Sequence, residues 1–521
     1  MTGRRTVAVA APHPAAVESA AAVVRAGGNA LDAALAAATA LTVVYPHQCA
    51  LGGDLVAVVH DERSGEPPVA VVSAGTVPAG LDLLALAGAP MPRRGPATVT
   101  VPGIVAGWIA LADLGAVLPL ESALSAAADL AASAPAVSAG LARAIVAEEG
   151  TIRADAGLSA VFAPGGRLLV EGDPMHQEAL TATLRALAAA PRDIYDGDVA
   201  ERFAAGLRGL GCAHTTSDLA AHTAEVVPAL GHELDGVRWW VAPPPSQGAA
   251  LLGVLPAAMA SLRSGDPSAL VEAGLAALDV RDRTLGDPRT APVDVDAMLT
   301  LSRATASAPA PAASPAKGDT VAITAVDDAG LSVTLIQSVF HTFGAGMLEP
   351  STGIVVHNRG GAFTTDPGSP ARIRHGSRPP HTLCPAIAET DELVVAVGCQ
   401  GGRAQPWILA QTAPSLLDPS ADPAAVLARP RWVVGIRDLG HDVPTLVAEP
   451  GVDAACAAAE RLGIPVDRRD APQDEAGHVQ AARRHRDGSD LDAGTDPRAD
   501  GAAVVVGPTP NPRPTTSRSA A

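Results

Sequence analysis

Aromatic residues are scarce in this chain. Phe, Tyr and Trp together make up 2% of its 521 residues. Alanine and valine must therefore do most of the core filling, and small side chains let helices pack closely. Lysine is scarcer still, with Lys317 the only one. Neither a Schiff-base lysine nor a phosphate-binding P-loop lysine fits that position, and no GxxxxGK[ST] or GxGxxG pattern occurs. No GxSxG nucleophile elbow is present either. Basic charge is short overall: the net charge is −18 and the pI about 5.1. A nucleic-acid partner needs a basic face, which excludes that class. The acidity makes a soluble, self-repelling surface.

Five cysteines, Cys49, Cys212, Cys384, Cys399 and Cys456, are scattered and odd in number. They form no disulfide framework and no CxxC pair, which favours a reducing compartment and a cytoplasmic location. Cys384 and Cys399 read as small core residues. "CAH" at Cys212–His214 lacks the partners a zinc site needs, so no metal is expected, and no cofactor. Arg4–Arg5 imitate a twin-arginine signal, but the apolar run after them is only Val7–Ala11. The alanine-rich run near Ala33 is broken by Asp32 and Pro46, so it reads as a core helix and not a membrane span.

What is present is a globular composition, with 48% hydrophobic and 18% charged residues. Length alone gives a prior of roughly three or four domains. The pattern from residue 6 to 60 is strand, helix, strand. The helix breaks at Gly27–Gly28–Asn29 and restarts near Asp32, an acid suited to a helix N-terminus. Two apolar runs around a Ser-Gly turn after Asp54 make a hairpin. Helices follow Pro102–Gly103 and start at Asp218. "ELDGVRWWV" reads as one strand, followed by a rigid Pro243–Pro245 turn and a helix restarting near Gly248. Residues 265–300 read as helical. Residues 303–319 carry Ala, Pro, Ser and no apolar period, the composition of a flexible linker. Then "TVAITAVDDAGLSVTLIQSVF" is a hairpin with alternating faces. "GIVVHN", "ELVVAVG" and "GAAVVVG" are further strands. "QPWILAQTAPSLL", "DPAAVLARPRW" and "DAACAAAERLG" read as helices, and the tail from Pro508 to Ala521 as disordered. The class is α+β, antiparallel sheets flanked by helices.

The junction "AKGDTVAITAVD" poses the chemical question. A slack linker runs straight into a buried strand whose first residue is Thr320. A cut between Asp319 and Thr320 would give that threonine a free α-amine beside its hydroxyl. A threonine hydroxyl needs an adjacent base, and an N-terminal amine serves as one. Its reference pKa of about 7.7–8.0, against about 10.4 for lysine, leaves more of it neutral near pH 7. The same hydroxyl could first attack the Asp319 carbonyl and release the linker. In "GCQGGRAQPW", Gly401 and Gly402 lie between a strand and a helix. There, backbone N–H groups can approach an oxyanion, and losing one such donor typically costs about 2.7–4 kcal/mol of barrier. Each signal alone is weak: a threonine opening a strand is usually only that, and a Gly-Gly is more often tight packing.

The order of the blocks is more specific. "HPAAVESAAAVVRAGGNALDAALA", "LGGDLVAV", "VPGIVAGW", "TSDLAAH", "APPPSQGA", "GDTVAITAVDDAG", "FGAGM", "SRPPHTLCPAI", "GCQGGRAQPW", "GHVQAARRHRDG" and "DPRADGAAVVV" together resemble the gamma-glutamyltranspeptidase family of N-terminal-nucleophile (Ntn) hydrolases, over nearly the whole chain. The resemblance implies the Ntn four-layer αββα sandwich with two stacked antiparallel sheets. It also implies a zymogen that cleaves itself by autoproteolysis into a large subunit, 1–319, and a small subunit, 320–521. It makes Thr320 the nucleophile, puts Ser338 where the family has a hydroxyl supporting it, and puts Gly401 and Gly402 at the oxyanion. It allows a homodimer of such heterodimers.

The substrate grip departs from the glutathione-handling members. Ala74 stands where the family's carboxylate-binding arginine is expected, Ala362 where the amine-binding aspartate is, and Phe340 in place of an asparagine. His381–Thr382 replace paired serines. A zwitterionic glutamyl group left without charge partners in a buried site costs several kcal/mol. "RPPHTL", "NRG" and "GGRAQPW" are more similar to the oxamate amidohydrolase-like branch, which hydrolyses small amides. The expectation is hydrolysis of a small carboxylate-bearing amide such as oxamate. Arg359 either offers a fork to the substrate carboxylate or makes a structural salt bridge. His381 either lines the pocket or caps a loop. Asp54, Arg93 and Arg94 are expected to be surface or loop charges. The alternatives are a gamma-glutamyltransferase or glutathione hydrolase with a rearranged grip, and a non-catalytic binding protein on the same fold.

Overall fold

The computed structural model describes residues 5–302, 319–436, 439–488 and 490–507. The expected linker up to residue 318 and the tail from 508 lie outside the described residues. Two antiparallel sheets stack face to face. The first runs in the order Ala502–Val506, Val7–Ala11, Asp319–Asp327, Leu331–Phe340, Asp54–Asp61, Val69–Ser73, Glu225–Pro228. The second runs Leu491–Thr495, Val479–His485, Leu393–Cys399, Ala386–Glu389, Val237–Val241, Leu230–Leu234. Helices cover both outer faces, which gives the αββα sandwich.

The period-2 alternation of the central hairpin decides which side chain faces which layer. Val321, Ile323, Ala325, Leu331, Val333 and Leu335 join the helix-side core. Ala322 and Ile336 point the other way, into the apolar layer between the sheets with Ile387 and Val394. Thr320 and Ser338 share that inward parity. The sheets approach closely. The Thr334 hydroxyl donates across the gap to Ala386 O at 2.9 Å. A Cβ on Gly398 would lie 2.9 Å from the Thr334 methyl, so the contact requires glycine there.

Alanine lets the outer layer pack tightly. Every residue of the helix Ala30–Val44 is buried, between the first sheet and the helices Pro14–Arg25 and Leu120–Ala132. Asn29 caps it, accepting from the Leu31 and Asp32 N–H groups, and Asp32 accepts the Asn29 N–H in return at 2.8 Å. This reciprocal cap satisfies orphan donors at a helix start. Gly248–Ser264 and Gln405–Thr412 cover the second sheet, and Ser268–Thr284 packs on Gly248–Ser264 outside it.

Local corrections come where turn chemistry outweighs the local pattern. "ELDGVRWWV" is two strands folded at Asp235–Gly236, both with positive φ. "DPAAVLARPRW" is helical only over Pro423–Leu427, and Trp432 opens a strand after Pro430. Residues 285–294 interrupt the expected helix before Val295–Leu299. "GIVVHN" is a strand only at Ile354–Val355. Among the described residues, no helix is long and apolar enough to cross a membrane.

Candidate active site

Thr320 sits at a register break. Asp319 pairs with Phe340, but Val321 pairs with Gln337, so the Leu331–Phe340 strand carries one extra residue. Bulges of this kind re-aim side chains next to active sites. Here three oxygens converge. The Thr320 hydroxyl donates to Ser338 Oγ at 3.1 Å, and Ser338 Oγ donates to the Asp319 carbonyl oxygen at 2.6 Å. The Phe340 N–H donates to the same Ser338 Oγ at 2.8 Å. Ser338 thus polarises the carbonyl that Thr320 would attack and can relay the proton that Thr320 gives up. Thr320, Ser338 and Asp319 are all buried. Phe340 holds φ at +78°, a left-handed conformation that costs an aromatic residue free energy and recurs at functional sites.

Gly401 and Gly402 follow the strand Leu393–Cys399 with φ of 138° and 54°. The φ of 138° at Gly401 is one that side chains rarely adopt, and a Cβ there would also have to displace the end of Ile408, 2.4 Å away. Gln247 ties this turn to the neighbouring loop. Its amide donates to Gly402 O at 2.9 Å and to Thr382 O at 2.7 Å, while Arg281 Nε holds its carbonyl at 2.7 Å. That is the work of "PPPSQG": a glutamine carried at a helix start that fastens two loops of the site.

Arg359, Phe340 and Thr382 come together. The Arg359 guanidinium lies over the Phe340 ring at 3.8 Å from its centroid, and Nη2 donates to Thr382 Oγ1 at 3.2 Å. Arg359 is 1% exposed, and its Nη1 has no hydrogen-bond partner. Burial pulls its pKa down to about 9, with Asp54 opposing. Arg359 makes no structural salt bridge with a close carboxylate among the described residues.

His381 faces Asp54, with Nε2 3.3 Å from Asp54 Oδ2. His357 Nδ1 is 3.5 Å from the same oxygen, and the Gly75 N–H donates to Oδ1 at 3.2 Å. Burial drives His357 down to about 3 and His381 well below its usual range. Burial also raises Asp54 to about 7, against Arg359 and the Gly75 and Gly103 N–H groups. Both histidines are neutral near pH 7, so the His381 contact is a hydrogen bond rather than an ion pair, while His357 Nδ1 stands near Asp54 without a hydrogen-bond partner among the described residues. Asp54 is therefore not a surface charge: it is 0% exposed and stands directly opposite Ser338 in the sheet. Arg94 is no free loop charge either. It pairs with Glu148 at 2.6 Å and donates to Thr342 O at 2.8 Å. Arg93 is exposed, as expected, and lines the two cavities that flank the site.

One cavity, of about 740 Å³, is lined by Asp319, Thr342, Gln48, Gln400, Gly401 and His478, among others. The other, of about 720 Å³, is lined by Phe340, Phe363, Met91, Thr382, Arg281 and Arg403 among others. His381 lines neither. Asp54, Thr342 and Gln247 escaped the sequence reading as site residues. The available signal was an acid inserted at the head of an apolar strand in "LGGDLVAV".

The pattern of Gamma-glutamyltranspeptidase matches residues 16–506. The chain belongs to the gamma-glutamyltranspeptidase family. It is 36% identical to an oxamate amidohydrolase proenzyme of Klebsiella pneumoniae, over 95% of this chain and 97% of that protein. A glutathione hydrolase-like proenzyme of Bacillus subtilis is 30% identical, over 96% of this chain and 98% of that one. The crystal structure of cephalosporin acylase from Bacillus halodurans superposes with a TM-score of 0.83 at 27% identity, covering 96% of each chain. The fold is thus that of the family's Ntn hydrolases. The chain is an enzyme of the family's amidohydrolase and transferase kind, which removes the non-catalytic alternative.

Proposed function

We propose that this family member processes itself between Asp319 and Thr320 and then hydrolyses a small carboxylate-bearing amide through Thr320. One observation carries the reading: the Thr320 hydroxyl, the Ser338 hydroxyl and the Asp319 carbonyl form a connected array at hydrogen-bond distance. In turnover the Thr320 α-amine takes the hydroxyl proton as Oγ attacks the substrate carbonyl. The amine then passes that proton to the departing amine, and water hydrolyses the resulting ester. Gly401 and Gly402 are assigned to the oxyanion and Arg359 to the substrate carboxylate, steadied by Thr382 and Phe340. His381 is assigned to positioning, since it bonds Asp54 and carries Thr382. Large and small subunits, 1–319 and 320–521, would come from one precursor, and a cytoplasmic enzyme suits its five free, buried cysteines.

Oxamate is the first substrate to try, given the Klebsiella relative. The cavities favour a second reading within the same chemistry. Volumes of about 740 and 720 Å³ far exceed what so small a molecule fills, and Met91, Phe340 and Phe363 offer apolar contact. A longer carboxylate-bearing acyl group would use that surface. Assays with oxamate, with longer dicarboxylic monoamides and with a gamma-glutamyl anilide decide between them. Turnover of the first two is expected. Robust gamma-glutamyl turnover with neither of them hydrolysed would overturn the assignment, because Ala74 and Ala362 supply no charge for the glutamyl zwitterion.

A further inference from the structure

We propose that the Asp319 side chain is the acid of the processing step, handing a proton to the Thr320 nitrogen as the Asp319–Thr320 bond breaks. This rests on the self-processing reading above. An amide nitrogen leaves poorly unless it is protonated. Ser338 is committed to the carbonyl oxygen at 2.6 Å, so it serves the attack and not the departure. The Asp319 carboxyl is within reach of the next residue's nitrogen through the covalent chain itself. It is buried and touches the Thr342 hydroxyl in a short hydrogen bond.

Its surroundings favour its protonated form. Burial raises the Asp319 carboxyl to about 7, and the Thr342 bond pulls the other way. Asp474 and Glu148 face it with negative charge and push it up, while His478 opposes them. Arg93 and Tyr45 lie on the same cavity wall, and Arg94 reaches the backbone of Thr342.

The step balances. Thr320 Oγ bonds to the Asp319 carbonyl carbon. The Thr320 proton passes to Ser338, and the Ser338 proton to the carbonyl oxygen. The carboxyl then protonates the nitrogen, the C–N bond breaks, and the hydroxyl of the intermediate returns its proton to the Asp319 carboxylate as the ester carbonyl forms. Water hydrolyses that ester, freeing Thr320 and leaving Asp319 as a chain end.

The test follows precursor disappearance by denaturing gel, using full chain made by cell-free translation and shifted to buffers from pH 6 to 9. The wild-type rate should fall roughly tenfold per pH unit above about 7, as expected for one titrating acid. Asp319→Asn should cleave roughly 100-fold more slowly and lose that pH dependence. Thr342→Val removes a donor that favours the charged form, so its fall in rate should move to higher pH. Asp319→Asn cleaving at the wild-type rate with the wild-type pH profile would overturn the proposal while leaving self-processing intact. A wild-type chain that stays whole would remove self-processing itself, and the proposal with it.

Discussion

Arg359 and Arg431 are equally buried, each about 1% exposed, yet they are held in opposite ways. Arg431 donates from Nε to Ala476 O at 2.9 Å, from Nη1 to Leu427 O at 2.8 Å and from Nη2 to Gly477 O at 2.7 Å, and it pairs closely with Asp496. Arg498 and Glu449 complete a closed buried network, with Arg498 Nε at 2.7 Å from Glu449. Arg359 has one hydroxyl, one aromatic face and an unpaired Nη1. A buried cation left partly unsatisfied lowers stability, so a fold keeps it where something outside the fold completes it. The closed network holds the molecule together. The open one is the arginine we assign to the substrate carboxylate.

The comparison breaks or holds on the two deletions. Arg431→Ala leaves Asp496 buried without its main partner and should cost about 3–5 kcal/mol in chemical denaturation. Arg359→Ala should leave the melting temperature level or higher, since it removes a desolvated charge. Its kcat/KM on a carboxylate-bearing amide should fall roughly 10–100-fold, about 1.4–2.7 kcal/mol, mainly through KM. Equal loss of stability in both variants would make Arg359 another structural arginine.

Thr382→Val probes the same point more gently. It removes the hydroxyl that orients the fork and should cost about 1 kcal/mol of transition-state binding, with folding unaffected. Steady-state kinetics beside a thermal melt would separate the two.

Titration should sharpen the contrast with the smallest effects. Burial tends to raise Glu449, but Arg498 and the Gln473 and Arg431 N–H groups outweigh it and hold its pKa low. Its stabilisation is present above the unfolded value of about 4.3 and is lost as pH falls through the folded one. Asp54 runs the other way. Its folded value is raised to about 7, so its contribution is full below about 4 and is lost as pH rises toward 7. Glu449→Gln should flatten the acid-side loss of melting temperature, and Asp54→Asn the loss between about pH 4 and 7, each by a few degrees. Identical pH slopes in wild type and variants would contradict the assigned environments.

Much of this was legible locally. Asn29 and Asp32 announce a helix start, and "DDAG" between alternating runs announces the hairpin that carries Thr320. The strands Val479–His485 and Leu491–Thr495 were not legible. Arg483, Arg484 and His485 break the apolar alternation, and they meet Asp492 and Glu62 only in the fold. Asp54 reads as a loop acid after Gly52–Gly53. Its partners, His357 and His381, lie some three hundred residues on and meet it only when the sheets stack. Thr342 and Gln247 act through backbone and side-chain contacts that no spacing encodes. Arg359 was legible as a candidate fork for a carboxylate, with a structural salt bridge as the alternative, but only the packing shows its unpaired nitrogen.

The central claim is that Thr320 becomes a chain end and a nucleophile. Intact mass measurement of the purified protein, before and after incubation with an electrophilic amide analogue, tests it directly. The account predicts two fragments divided between Asp319 and Thr320, with one label on the smaller fragment, at Thr320. A single unlabelled chain, or a label on any other residue, would contradict it.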